Sequence, residues 1–419
     1  MELLLIIIFC AYLAVQLFEN IFSYINLHYQ ARHGGNVPQG FEDRVDVETL
    51  KKMRDYTAAH TRVDFVASFF DTAITVFFIF GGLLNWYNNW ITGNHWSFMV
   101  SGALFFLLIS YGEIFLKLPF SLYNTFHVEQ KFGFNTQTIV LWLVDLLKSL
   151  LLSSVLYGIL LFSGFWIIEN SPQYWWLILW AFLCLFSVFM MYISPYVIEP
   201  LFNKFSPIKN ETLEIKIKEL MKKAGISITK VLTMDASKRS THSNAYFTGI
   251  GHVKRIILFD TLLENNSDEE LLAILAHEAG HWKKKHILKR LLLMEGLALL
   301  GFFVAYQLIK SDAITTLFNI DHPTIHVKLL LVGFVGSLVL FPIKPLGSLY
   351  SRIHEKEADD FAVSLTGSPA ALATALVKLG EENLSNLHPH PWYAAFYYSH
   401  PPLPERVKNL YAMATDQIV

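Results

Sequence analysis

Apolar residues in this chain fall in runs too long for one face of a soluble helix. The first is MELLLIIIFCAYLAVQLF, and further runs lie near 64–86, 97–120, 138–168, 174–201, 287–309 and 327–349. Each approaches or exceeds the roughly 20 residues that a helix needs to cross ~30 Å of hydrocarbon, allowing for tilt. The pattern predicts a mainly α, multi-pass membrane protein with seven transmembrane helices. The last run is the weakest, because Pro342, Lys344 and Pro345 interrupt it. The first carries Glu2 where a signal peptide would carry positive charge, and no small-x-small cleavage site closes it. It therefore reads as a retained span.

Polar stretches divide the chain into an N-terminal membrane region of five spans (1–205), a catalytic segment (206–285), a transmembrane hairpin (286–350) and a C-terminal catalytic segment (351–419). Lysine and arginine alternate with the crossings. The first loop holds Arg32, Arg44, Lys51, Lys52, Arg54 and Arg62, the loop YNNWITGNHW holds none, the next holds Lys131, ENSPQY holds none, and 203–285 is lysine-rich. The positive side faces the cytoplasm, which places the N-terminus outside and the polar segments inside.

Composition agrees, with 53% hydrophobic and 16% charged residues against about 25% charged in ordinary soluble domains. A net charge of −2 and the lack of a basic tract interleaved with aromatics argue against nucleic acid as a partner. Cys10 and Cys184 sit in apolar runs and read as small buried hydrophobes. Asp71, Glu113, Lys117, Asp145, Lys148 and Glu295 fall inside the spans. Either they pair between helices or they line a water-filled chamber.

One polar cluster stands apart. Ser267 precedes DEELLAILAHEAGHW with Glu270 three residues on, the signature of a capping box at a helix start. Along that helix His277 and His281 are one turn apart and share a face. Glu278 lies about 100° around, able to reach a water on a metal without being a ligand. Two imidazoles leave Zn2+ in need of a third protein ligand and one open position, where a water would be acidified and Glu278 would take its proton.

The segment SRIHEKEADDFAV offers a third ligand, where the bland reading is a solvated helix face. Glu355 and Asp359 are again one turn apart, suited to a carboxylate ligand and a carboxylate that orients a ligating histidine. Glu357 lies about 200° from Glu355 and is left as a surface or chamber-facing charge. Two predicted crossings between His281 and Glu355 return the chain to the same side of the membrane. THSNAYFTG, with Asn244 and Ala245, reads either as an edge strand that pairs with an extended substrate or as a structural hairpin strand. YYSHPPLPERVKNL offers His400, held by Pro-Pro, as an oxyanion donor or as a loop histidine with no role. His286, His354, His388 and His390 are given no role.

In LPFSLYNTFHVEQKFGFNTQT, EPLFNKFSPI, SKRSTHSNAYFTG, LAHEAGHW, SRIHEKEAD and YSHPPLPER, in this order, the chain resembles the type I CAAX prenyl protease family of integral-membrane zinc metallopeptidases. The resemblance implies seven helices around a large water-filled chamber, with a small α+β HExxH zinc peptidase core at the cytosolic side. It implies one Zn2+ per chain on His277, His281 and Glu355, Glu278 as base, Asp359 as orienting acid, Asn244 and Ala245 as the substrate-pairing strand, His400 as a transition-state donor, and Arg406 as a substrate contact. Members cleave a C-terminal tripeptide from prenylated proteins.

The expected partners are a peptide or lipidated peptide and the bilayer, with no nucleic acid. The chain is compact and ends ATDQIV without a dilysine signal, which points to a bacterial inner membrane, with the endoplasmic reticulum as alternative. Rival readings are a quality-control metalloprotease acting on misfolded membrane proteins, and a transporter or receptor with a structural metal site.

Overall fold

The apolar runs form long helices, because backbone polar groups in hydrocarbon must bond within their own segment. The structure is a computed structural model that describes residues 2–249 and 255–416. Gln417 to Val419, the end of ATDQIV, lie outside the described residues.

The membrane region comprises α1 (Glu2–His33), α2 (Val47–Ile79), α3 (Leu83–Gly93), α4 (Phe98–Tyr123), α5 (Ile139–Asn170) and α6 (Trp175–Ile193). After the peptidase segment come α9 (His286–Ile309), α10 (Ile325–Leu340) and α11 (Lys344–Thr366). Among the described residues six helical runs are long and apolar enough to cross a membrane, and the pair α2 and α3, bent by 57°, makes a seventh if taken as one span.

Two boundaries differ from the sequence pattern. The second span begins at Val47 rather than near 64, capped by Asp46, whose side chain accepts from Thr49 N. Its first turns are polar, so Lys51, Lys52, Arg54 and Arg62 ride on a helix rather than in a loop. The helix stops at Ile79, where Gly82 takes a positive φ of 83°. YNNWITGNHW is thus mostly helical, and Asn85 and Asn89 donate to Asp321 at 2.7 and 3.1 Å. The expected interruption at Pro342 to Pro345 is only a 3-10 turn over Phe341–Ile343, so Ile325–Thr366 runs on as 42 residues. Pro345 falls in the first turn of α11, where a missing N–H costs little.

The spans touch along narrow seams. The most apolar 18-residue window of Trp175–Phe202 has no buried residue, and that of Ile139–Asn170 is only 22% buried. This is a wall one helix thick around a chamber, not a packed bundle. Charged groups on it are paired. Lys117 lies 2.6 Å from Glu113 and 3.9 Å from Asp71, Arg239 grips Asp145 through two bonds of 2.8 and 3.1 Å, and Glu295 accepts from the Cys184 thiol at 2.8 Å. The cysteines are free but not buried as expected. Cys10 is exposed because its helix belongs to that thin wall.

The peptidase core holds a four-stranded sheet of β1 (Phe205–Pro207), β2 (Lys230–Met234), β3 (Ala245–Thr248) and β4 (Arg255–Phe259) in the order β1-β2-β4-β3. β2 and β4 are parallel, and the outer pairings are antiparallel. Against it pack α7 (Glu211–Lys223) and α8 (Asp268–Lys283), burying Ile217, Met221, Ile256, Leu258, Leu271 and Leu275 in one cluster. The other face of α8 meets α11 and α12 (Pro369–Glu382), and α12 in turn packs against α13 (Leu403–Asp416). That second cluster also takes Phe41, Met53 and Phe134 from the membrane region, so the core is not built from the two polar segments alone.

Candidate active site

α8 begins at the capping box foreseen in the sequence, with Ser267 Oγ accepting from Glu270 N and the Glu270 carboxylate accepting from Ser267 N at 2.8 Å. Ala273, Ala276 and Ala279, small enough for close packing, are buried among the neighbouring elements. A Cβ placed on Gly280 would stand 3.0 Å from Ala358 Cα and 3.1 Å from its carbonyl oxygen. Glycine there lets α8 and α11 approach backbone to backbone, which carries Glu355 to the histidines.

His277, His281 and Glu355 come together, each offering an atom within 4.8 Å of the others. The two Nε2 atoms are 3.2 Å apart. His277 Nε2 lies 3.4 Å from Glu355 Oε2, and His281 Nε2 lies 3.3 Å from Oε1. Tetrahedral zinc with bonds of about 2.0–2.1 Å separates its ligands by about 3.3 Å, so the donor set fits such an ion. Glu355 Oε2 is also buried with no hydrogen-bond partner, a costly state for a carboxylate that a metal would relieve.

Each imidazole is held from behind. His277 Nδ1 lies 2.7 Å from Asp359 Oδ1. Arg406 grips the same carboxylate, donating from Nε at 2.9 Å and from Nη2 at 2.7 Å. Arg406 is only 7% exposed. The expectation of a substrate contact there meets a buried guanidinium already committed to Asp359, and we assign it to positioning instead. His281 Nδ1 lies 3.0 Å from His286 Nδ1, and His286 Nε2 lies 2.9 Å from Glu357. From spacing alone His286 and His354 have no role and Glu357 is only a free charge. In the structure His286 is buried, stacked on His354 and bonded to Glu357. Helical spacing hides it, because Lys285 takes a left-handed φ of 57° and resets the phase between α8 and α9.

Glu278 is half-buried and makes no side-chain hydrogen bond among the described residues. Burial raises its carboxyl above the ordinary carboxylate range, against the opposing pull of His277 and His281. His400 Nε2 lies 3.3 Å from Glu355 Oε1, and its Nδ1 lies 2.9 Å from Ser399 Oγ. Desolvation by the surrounding protein lowers its pKa, while the side chain itself stays 61% exposed and open to an incoming substrate. β3 lies at the sheet edge and packs against α8. Asn244, just before it, is exposed, while Ala245 is buried. The Ala245 N–H is occupied by the Asn244 side chain at 2.8 Å.

A thin-walled membrane chamber closed by an HExxH helix and a glutamate one hairpin later defines a membrane-embedded metallopeptidase. The chain matches the CAAX prenyl protease N-terminal family, described as five membrane helices, over residues 26–204, and peptidase family M48 over residues 207–414. It belongs to this family of CAAX prenyl protease-like M48 peptidases.

It is 34% identical to CAAX prenyl protease 1 of Saccharomyces cerevisiae, over 94% of this chain and 92% of the relative. It is 30% identical to the CAAX prenyl protease 1 homolog of Homo sapiens, over 90% and 89%. The crystal structure of S. mikatae Ste24p superposes with a TM-score of 0.90 at 31% identity, covering 97% of this chain and 98% of that one. These relatives are eukaryotic and lend no support to the bacterial membrane inferred from the chain's compactness and ending.

Proposed function

We propose that this chain is a zinc metalloendopeptidase that cuts near the C-terminus of CAAX-type prenylated peptides, or of other membrane-associated peptides. What supports it most is the convergence of His277, His281 and Glu355 at zinc-ligand spacing, beside a Glu278 that makes no side-chain hydrogen bond among the described residues. The substrate class comes from the relatives' names. The membrane is that of the endoplasmic reticulum, the location these eukaryotic relatives fit, with the site toward the cytoplasm.

When bound, zinc supplies Lewis-acid polarisation of the scissile carbonyl and acidifies a water. Glu278 accepts the proton of the attacking water at its carboxylate and returns it to the leaving amine. The neutral His400 ring, with Ser399 donating to Nδ1, presents Nε2–H to the oxyanion as it develops. Asp359, clamped by Arg406, holds the His277 proton at Nδ1 and leaves Nε2 free to ligate. The edge of β3 after Asn244 and Ala245 pairs with an extended substrate backbone.

The test is cleavage of a farnesylated peptide against its matched unprenylated form, with casein alongside. Preference for the farnesylated peptide supports the reading. Equal cleavage of casein makes the protein a general membrane protease. No hydrolysis of any substrate by zinc-loaded protein makes the metal structural.

A further inference from the structure

His281 is backed by a relay rather than by a single carboxylate. We propose that His286 and Glu357 form a positioning pair that sets the tautomer and ring orientation of His281, as Asp359 does for His277. The proposal rests on the ligand assignment above and goes beyond it, because neither residue belongs to the HExxH or E-x-x-x-D pattern.

The argument is one of proton placement. His281 faces the common point of the cluster through Nε2, 3.2 Å from His277 Nε2. A neutral imidazole that ligates through Nε2 carries its proton on Nδ1. Among the described residues that Nδ1–H has one neighbour at bonding distance, His286 Nδ1 at 3.0 Å, which must therefore accept. His286 in turn carries its proton on Nε2, 2.9 Å from Glu357 Oε2. The bonds all run one way, from ligand to imidazole to anion. Each then polarises the next toward a more basic His281 Nε2.

The relay is built rather than incidental. His286 is 4% exposed. Its ring lies flat on His354, centroids 4.0 Å apart and planes within 5°, and His354 meets Tyr350 edge-on at 4.2 Å. His286 is the first residue of α9 and turns back onto α8 because Lys285 adopts the left-handed conformation. The relay thereby ties α8, α9 and α11 together at one ligand. His277 and His281 are held by unlike devices, a buried arginine-clamped aspartate on one side and a histidine with a partly exposed glutamate on the other.

The test uses full-length protein in detergent, stripped by chelator and titrated with zinc against a chromophoric competitor. His286→Phe keeps the ring stack and removes the acceptor. Glu357→Gln keeps the shape and removes the charge. Zinc affinity falls about 10- to 100-fold in His286→Phe and by a smaller factor in Glu357→Gln. The double variant is no weaker than His286→Phe alone, because the two residues act in series.

Cobalt(II) bound in place of zinc shows shifted visible bands in both single variants, a change that a packing role would not produce. Wild-type zinc affinity and cobalt spectrum in both variants overturn the relay. A lowered melting temperature of the metal-free variants with wild-type zinc affinity overturns it too. Should His286→Phe fail to fold, Glu357→Gln decides alone, since its side chain is partly exposed. Wild-type zinc affinity in His277→Ala and Glu355→Ala would instead bring down the ligand set itself, a result that the relay variants do not give.

Discussion

Gly280 of α8 and Ala358 of α11 meet backbone to backbone, with room for no Cβ between them beyond a 3.0 Å contact. Three residues before each lie His277 and Glu355, so this contact sets the gap between imidazole and carboxylate. Gly280→Val should push the helices apart. A displacement near 1 Å costs on the order of 100-fold in turnover, and zinc content should fall with it. Wild-type zinc content and turnover in Gly280→Val would show that the approach is not what positions the glutamate.

Glu278→Gln should lower hydrolysis by about 100- to 10,000-fold and leave zinc content unchanged, because the base is not a ligand. Elemental analysis beside a peptide assay checks both. Loss of zinc from this variant would mean that Glu278 has been given the wrong role.

His400→Phe should lower kcat by about one to three orders of magnitude with little change in zinc content or KM, as when one oxyanion donor is lost. Equal turnover in the variant would return His400 to a loop residue near the site.

Burial raises the Glu278 carboxyl, and a general base works only when deprotonated. Activity should therefore fall as pH drops through that raised pKa. The acid limb of kcat/KM, measured with zinc occupancy verified at each pH, should move in Glu278→Asp. An acid limb that Glu278→Asp leaves in place would contradict the assignment.

Orientation follows from loop charge. In a background of Cys10→Ala and Cys184→Ala, a cysteine at Asn94 should react with an impermeant reagent from the lumenal or external side, and one at Lys209 should not. Both positions are exposed. The opposite pattern would invert the protein in its membrane.

Features with a period or a spacing were legible in the sequence. The capping box, the one-turn separation of His277 and His281, and the even number of crossings before Glu355 are all local or countable. Features set by a distant partner were not. The need for glycine at 280 depends on Ala358, which lies beyond a transmembrane hairpin. His286 was hidden by one left-handed residue, Lys285, which breaks the phase that helical counting relies on. The start of α2 lies earlier than its apolar run, because its first turns are polar and leave no apolar run to read. The exposure of Cys10 has no sequence signal, because an apolar residue in a thin wall faces lipid or chamber as readily as protein.

The helical run Ile325–Thr366 continues for 42 residues through its one 3-10 turn, roughly 63 Å at 1.5 Å per residue, about twice the ~30 Å hydrocarbon layer. It is bilayer span at one end and active-site scaffold at the other. Glu355 therefore stands at a height above the lipid fixed by a rod, with no loop to adjust it. A bilayer that thickens or thins shifts or tilts the rod, and the glutamate moves with it relative to any substrate anchored in that same bilayer. Membrane thickness thus becomes a variable of catalysis, and the same protein in short-chain and long-chain lipids should choose between scissile bonds as a gauge of fixed length would.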